Sequence, residues 1–96
     1  MKQKYDLQEF INAPTKHSVL LELVKRVKER RKECSMTQRQ LSARSGVSYA
    51  SIRRFETMGE ISLSSLMQIA QALDCIEDFN ELFRKKKITD LKEYEG

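Results

Sequence analysis

Residues that break or bend helices are scarce in this chain. It has three glycines and one proline in 96 residues, and Val, Ile and Thr nowhere alternate with polar residues over the length of a strand. A sheet-based fold is therefore not expected. No apolar run approaches the roughly 18 residues of a membrane span, and the opening "MKQKYDLQEF" lacks the apolar centre of a signal peptide. The expectation is a soluble, cytoplasmic protein with no membrane partner. The lone histidine, His17, and the two cysteines, Cys34 and Cys75, do not stand at metal-ligand spacing. They read as two reduced thiols of a cytosolic protein, with no metal and no cofactor. One histidine, no glycine-rich phosphate loop and no clustered acids leave no catalytic constellation, so no enzyme is expected.

What the chain does have is basic charge and helical periodicity. The net charge is +4 and the pI near 9.2, a balance that suits nucleic acid or an acidic protein partner. The length suffices for one small domain. A domain of this size buries only about two thirds of its unfolded surface, so dimerisation would add needed stability. Val19, Leu20, Leu23, Val24 and Val27 form one apolar stripe on a helix over about 16–33. Leu66, Ile69, Ala70 and Leu73 form a second over about 63–73, and Ile76, Phe79, Leu82 and Phe83 a third. All three predict core packing.

Between the first two stripes one local pattern occurs three times. "MTQRQL" (36–41), "VSYASI" (47–52) and "ISLSSL" (61–66) each read apolar, hydroxyl, three residues, apolar. The hydroxyl is a good N-cap for the free N–H groups of a first turn, and the flanking apolar residues occupy hydrophobic-staple positions. Thr37 and Gln40 also form a capping box. Helices therefore start near 38, 49 and 63. The first of them is short, because Gly46 is the natural left-handed residue after its end. Only Val47 and Ser48 separate it from the next helix, which forces a steep crossing: a helix-turn-helix. "TMGE" (57–60) ends the second helix of the pair.

Stepping 100° per residue from Ile52 puts Ser48, Phe55 and Glu56 on the inward side. Ala50, Arg53, Arg54 and Thr57 fall opposite, with Tyr49 and Ser51 at the edges. The outward face carries no acid, whereas a merely solvated helix usually mixes acids with its basic residues. Arginine bonds guanine O6 and N7 in the major groove, and alanine permits close approach. Gln38, in the first turn of the preceding helix, is placed to grip a phosphate, and Arg39 and Arg44 add positive charge nearby.

Residues 20 to 83 resemble the phage repressor and Cro family of helix-turn-helix proteins, also called the XRE family. The resemblance rests on Gln38, Leu41, Gly46, Val47, Ile52 and Glu56 in the family's spacing, and on "SLSSLMQIAQALD" as its fourth helix. It implies an all-α, compact bundle of four or five helices, lambda repressor-like, that binds double-stranded operator DNA as a homodimer. By position it makes Gln38 the phosphate-holding glutamine. Tyr49, Ala50 and Arg54 fall at base-meeting positions, with Ser48 and Arg53 as added contacts. Arg31 matches an arginine that pairs with the glutamate at Glu56. Ser42 departs from the usual alanine but is nearly as small. The run from Gly46 to Phe83 is also similar to small regulators encoded beside HipA-type kinase toxins. That narrower similarity implies a HipB-like antitoxin that represses its own operon and binds the toxin.

The expected organisation is an N-terminal arm (1–16), a DNA-binding domain (17–83) and a C-terminal tail (84–96). Leu7, Phe10 and Ile11 in the arm, and Ile88, Leu91 and Tyr94 in the tail, have no assigned place in the expected core; they suit either a fold back onto the bundle or the dimer interface, or a second, protein-binding surface. "RKKK" (84–87) beside the tail suits an acidic partner or a flanking phosphate. The rival reading is a protein-interaction adaptor that uses a helix-turn-helix fold without DNA. The basic outward face at Ala50, Arg53 and Arg54 speaks against it. RNA recognition is weaker still, since its common modules display aromatics on a sheet.

Overall fold

The protein is described from a computed structural model covering residues 13–87. Helix α1 (Lys16–Glu33) starts at Thr15, which forms a capping box with Ser18. Helix α2 (Gln38–Ser45) starts at Thr37, whose hydroxyl accepts from the Gln40 N–H while the Gln40 side chain accepts from the Thr37 N–H. Helices α3 (Tyr49–Met58) and α4 (Leu63–Ala72) start at Ser48 and Ser62, each hydroxyl accepting the N–H three residues on. Such caps contribute about 1 kcal/mol each. A 3₁₀ helix (Ile76–Glu81) follows. The described residues contain no strand, and the all-α helix-turn-helix bundle is the fold.

Two left-handed glycines set the corners. Gly46 ends α2 at φ 79 and donates to the Ser42 carbonyl; Gly59 ends α3 at φ 76 and donates to the Phe55 carbonyl. A side chain on Gly59 would be strained by that φ, and its Cβ would sit 3.0 Å from Leu20 of α1. The turn between α2 and α3 is cross-linked. The Ser42 hydroxyl donates to the Val47 carbonyl at 2.7 Å, the Val47 N–H donates to the Ser45 hydroxyl, and Gln68 of α4 donates to the Ser45 carbonyl. Serine at position 42 therefore ties the turn as well as fitting it.

The core consists of two adjoining clusters. Leu41, Val47, Ile52, Ile69 and Leu73 form one, and Val24, Phe55 and Leu66 the other. Val27 and Ile61 pack against both. Helix α2 thus packs on α3 and α4, and α1 on α3, which fixes the buried side of the second helix-turn-helix helix.

The structure corrects three packing expectations. Val19 is 54% exposed, because it lies in the first turn of α1, ahead of the buried positions Val24 and Arg31. The third stripe lies on a 3₁₀ helix, in which only Ile76 and Phe79 are half-buried. Leu82 ends it in an extended conformation and is exposed; Phe83, at φ 60, turns outward and is fully exposed. Ser48 is exposed, since an N-cap lies outside the helical wheel that placed it inward. Leu7, Phe10, Ile11, Ile88, Leu91 and Tyr94 lie outside the described residues.

Candidate nucleic-acid interface

Helix α3 has one locked side and one open side. On the locked side, Ile52 and Phe55 enter the core beside Glu56. Arg31, two residues before the end of α1, meets Glu56 with two hydrogen bonds: Nε to Oε2 at 2.8 Å and Nη2 to Oε1 at 3.0 Å. Arg31 Nη1 also donates to the Met36 carbonyl at 2.8 Å, and Gln38 Nε2 donates to Glu56 Oε1 at 2.8 Å. The two charged side chains are 9% and 2% exposed. Among the described residues no buried side-chain nitrogen or oxygen lacks a partner. Burial by itself pushes the Glu56 carboxyl up. The hydrogen bonds from Arg31 and Gln38, with the Arg31 charge, more than offset this and hold it below its ordinary value.

This network joins the end of α1, the α1–α2 loop, the start of α2 and the last turn of α3. It places Gln38 at the edge of the interface with one amide hydrogen spent on Glu56. The second amide hydrogen remains to be donated outward.

On the open side, Ala50, Arg53, Arg54 and Thr57 are all exposed. The Thr57 hydroxyl turns back to the Arg53 carbonyl at 2.8 Å, and the Ser48 hydroxyl is engaged with Ser51. The face is thus presented mainly by Ala50 and the two guanidinium groups. Tyr49 sits half-buried between two arginines. The Arg39 guanidinium lies 4.1 Å from its ring centroid and that of Arg53 lies 5.8 Å away, both within cation–π range. Arg39 of α2 is thereby gathered against the start of α3. Arg44 is not part of this cluster; it lines a separate hollow with Cys34, Ser35, Met36, Gln40 and Ala43.

Three contacts escaped the sequence reading: the Gln38–Glu56 bond, the Arg39–Tyr49 stack, and an acid beside Arg54. Glu60 Oε1 accepts from Arg54 Nε at 2.8 Å and lies 2.6 Å from Arg54 Nη2 as an ion pair. The outward face of α3 itself carries no acid, yet the chain reversal at Gly59 returns one to it. A six-residue separation is no helical pairing, so only the glycine just before Glu60 hinted at this.

A family model described as helix-turn-helix matches residues 27–78, more than half of the chain. The chain belongs to this family, of the XRE type. No curated protein and no solved structure matches it. The matched span runs from the second half of α1 into the 3₁₀ helix, and so contains the whole Arg31–Glu56–Gln38 network and both faces of α3. This XRE-type protein is accordingly a DNA-binding transcriptional regulator. The described part of the XRE-type chain has no helix long and apolar enough to cross a membrane, and no group of three or more metal-ligating side chains. Its Cys75 thiol is pushed up by burial, against the opposing pull of Arg30, which leaves less of the reactive thiolate.

Proposed function

We propose that this XRE-type protein is a cytoplasmic, dimeric repressor of its own operon that inserts α3 into the major groove of a two-fold symmetric operator. The observation that carries this reading is the asymmetry of α3. One side is fixed by the core and the Arg31–Glu56 network, while the other presents Ala50, Arg53 and Arg54 to solvent. In this assignment Arg54 and Tyr49 meet bases beside Ala50, and Arg53 and Ser48 add contacts. Gln38, Arg39 and Arg44 serve the phosphate backbone.

Support for the dimer comes from a groove whose lining includes no residue of α3. This groove of about 350 Å³ lies between α1, α4 and the 3₁₀ helix, lined by Leu23, Val27, Leu66, Phe79 and Leu82. Phe83, next in sequence after Leu82, is fully exposed. Contiguous apolar surface of this kind marks an interaction site. A second copy docked there would supply the two-fold symmetry of a palindromic operator, whose half-sites lie about 34 Å, or a multiple of it, apart.

The antitoxin role belongs to the same proposal. It rests on the resemblance of Gly46–Phe83 to regulators paired with HipA-type kinase toxins. The test is selection from a pool of randomised duplexes, followed by footprinting and sedimentation. A palindromic footprint bound by a dimer is expected; an isolated half-site bound by a monomer contradicts it. For the antitoxin arm, a pull-down with the kinase encoded by a flanking gene is expected to succeed. Failure to capture it removes the toxin partner from the reading.

A further inference from the structure

Arg54 is held by an acid while it waits for DNA. The holder, Glu60, lies in a short connection fixed on both sides. Gly59 before it is held by its bond to the Phe55 carbonyl, at a left-handed φ of 76 where an added Cβ would meet Leu20. Ile61 after it packs against both core clusters, and Ser62 caps α4. The Glu60 backbone is therefore set in place, and its carboxylate meets a flexible arginine from a rigid base.

The geometry of the contact matters for recognition. A single carboxylate oxygen, Oε1, accepts from Nε and lies in ion-pair contact with Nη2, so Glu60 occupies one side of the guanidinium plane's edge. The end of the fork, Nη1 with the remaining Nη2 hydrogen, bonds no other group among the described residues. Those two parallel donors match guanine O6 and N7. A carboxylate beside the groove also repels phosphates, which penalises sequence-independent attachment more than a bidentate base contact.

We propose that Glu60 is a positioning residue that orients Arg54 for end-on reading of a guanine, raising sequence discrimination at the expense of non-specific affinity. This rests on the DNA-reading role given to Arg54 above.

The experiment uses the full chain, the duplex enriched by the wild type from a randomised pool, its single-base-pair variants, and a scrambled duplex. Glu60 is exposed, and equal helical circular dichroism before and after substitution verifies the fold of each variant. Glu60→Ala is expected to lower the preference at the Arg54-read base pair by about two- to fivefold, the range an exposed pair supports. It is also expected to tighten binding to the scrambled duplex. Glu60→Gln, which keeps the accepting oxygen but not the charge, should restore most of the preference while the scrambled duplex stays tighter. In an Arg54→Ala background Glu60→Ala should change the preference no further. An unchanged preference in Glu60→Ala overturns the proposal, as does an effect that persists without Arg54. If the wild type enriches no sequence at all, the DNA-reading role fails instead, and the proposal with it.

Discussion

Two arginine–glutamate pairs stand on opposite sides of the same helix, and their chemistry is nearly identical. Arg31 and Glu56 meet at 2.8 Å with side chains 9% and 2% exposed; Arg54 and Glu60 meet at 2.6 Å with side chains 62% and 54% exposed. Burial makes them different objects. In the low-dielectric interior an unpartnered charge is very costly, so the inner pair is bound by further hydrogen bonds from Gln38 and to Met36 and acts as a structural clamp. At the surface, water and salt screen the outer pair. The outer pair can be broken at little cost, and the inner pair cannot. A helix that must present arginines to DNA without losing its own seat needs both.

The largest expected effect comes from breaking the inner pair one partner at a time. Arg31→Ala leaves the Glu56 carboxylate stranded, with an expected loss of about 3–5 kcal/mol at neutral pH. That is a large share of the roughly 5–15 kcal/mol total of an ordinary domain. Urea unfolding monitored by circular dichroism measures it. A loss near zero would mean the pair is no clamp.

Acidification sharpens the same contrast. The Glu56 carboxyl is held below its ordinary value, so the folded state binds its proton less readily than the unfolded state does. The contribution is complete above the unfolded value of about 4.3, and it is lost as pH falls through the lowered folded value. The stability gap between wild type and Glu56→Gln should therefore be constant near neutrality and shrink below about pH 4. A gap independent of pH down to pH 2 would contradict the assigned direction.

A smaller effect is expected at the corner that brings Glu60 back to Arg54. Gly59→Ala forces a side chain into left-handed backbone and against Leu20, at an expected cost of about 1–2 kcal/mol by thermal or urea unfolding. No destabilisation would show that the corner relaxes freely. Smallest of all is the outer pair. A double-mutant cycle on Arg54 and Glu60 should give a coupling of about 0–1 kcal/mol that fades with added salt. A salt-insensitive coupling as large as the inner one would abolish the distinction between the two sides.

Much of the fold was legible because it rests on local chemistry. Thr37, Ser48 and Ser62 announce helix starts through their own hydroxyls, and Gly46 and Gly59 announce ends through their backbone freedom. The core stripe of α4 followed from helical spacing alone. Periodicity failed at the margins. Val19 has the right spacing but lies in the first turn of its helix, and Phe83 has it but follows the end of a 3₁₀ helix. The two faces of α3 were legible for the same reason as the stripes. The partners across elements were not. Arg39 reaches Tyr49 from another helix, Gln38 reaches Glu56, and Glu60 returns to Arg54 around a glycine corner. These contacts depend on tertiary placement, which no short spacing encodes.

The central claim is that the open side of α3 reads sequence while the locked side only holds it. Arg54→Ala tests it most directly, in a competition assay with the duplex enriched by the wild type and its single-base-pair variants, after urea unfolding has shown native-like stability. The account predicts a loss of about 1–3 kcal/mol on the enriched duplex, with the preference relaxed at one base pair and kept at the others. An Arg54→Ala protein that binds with the full preference intact would contradict it.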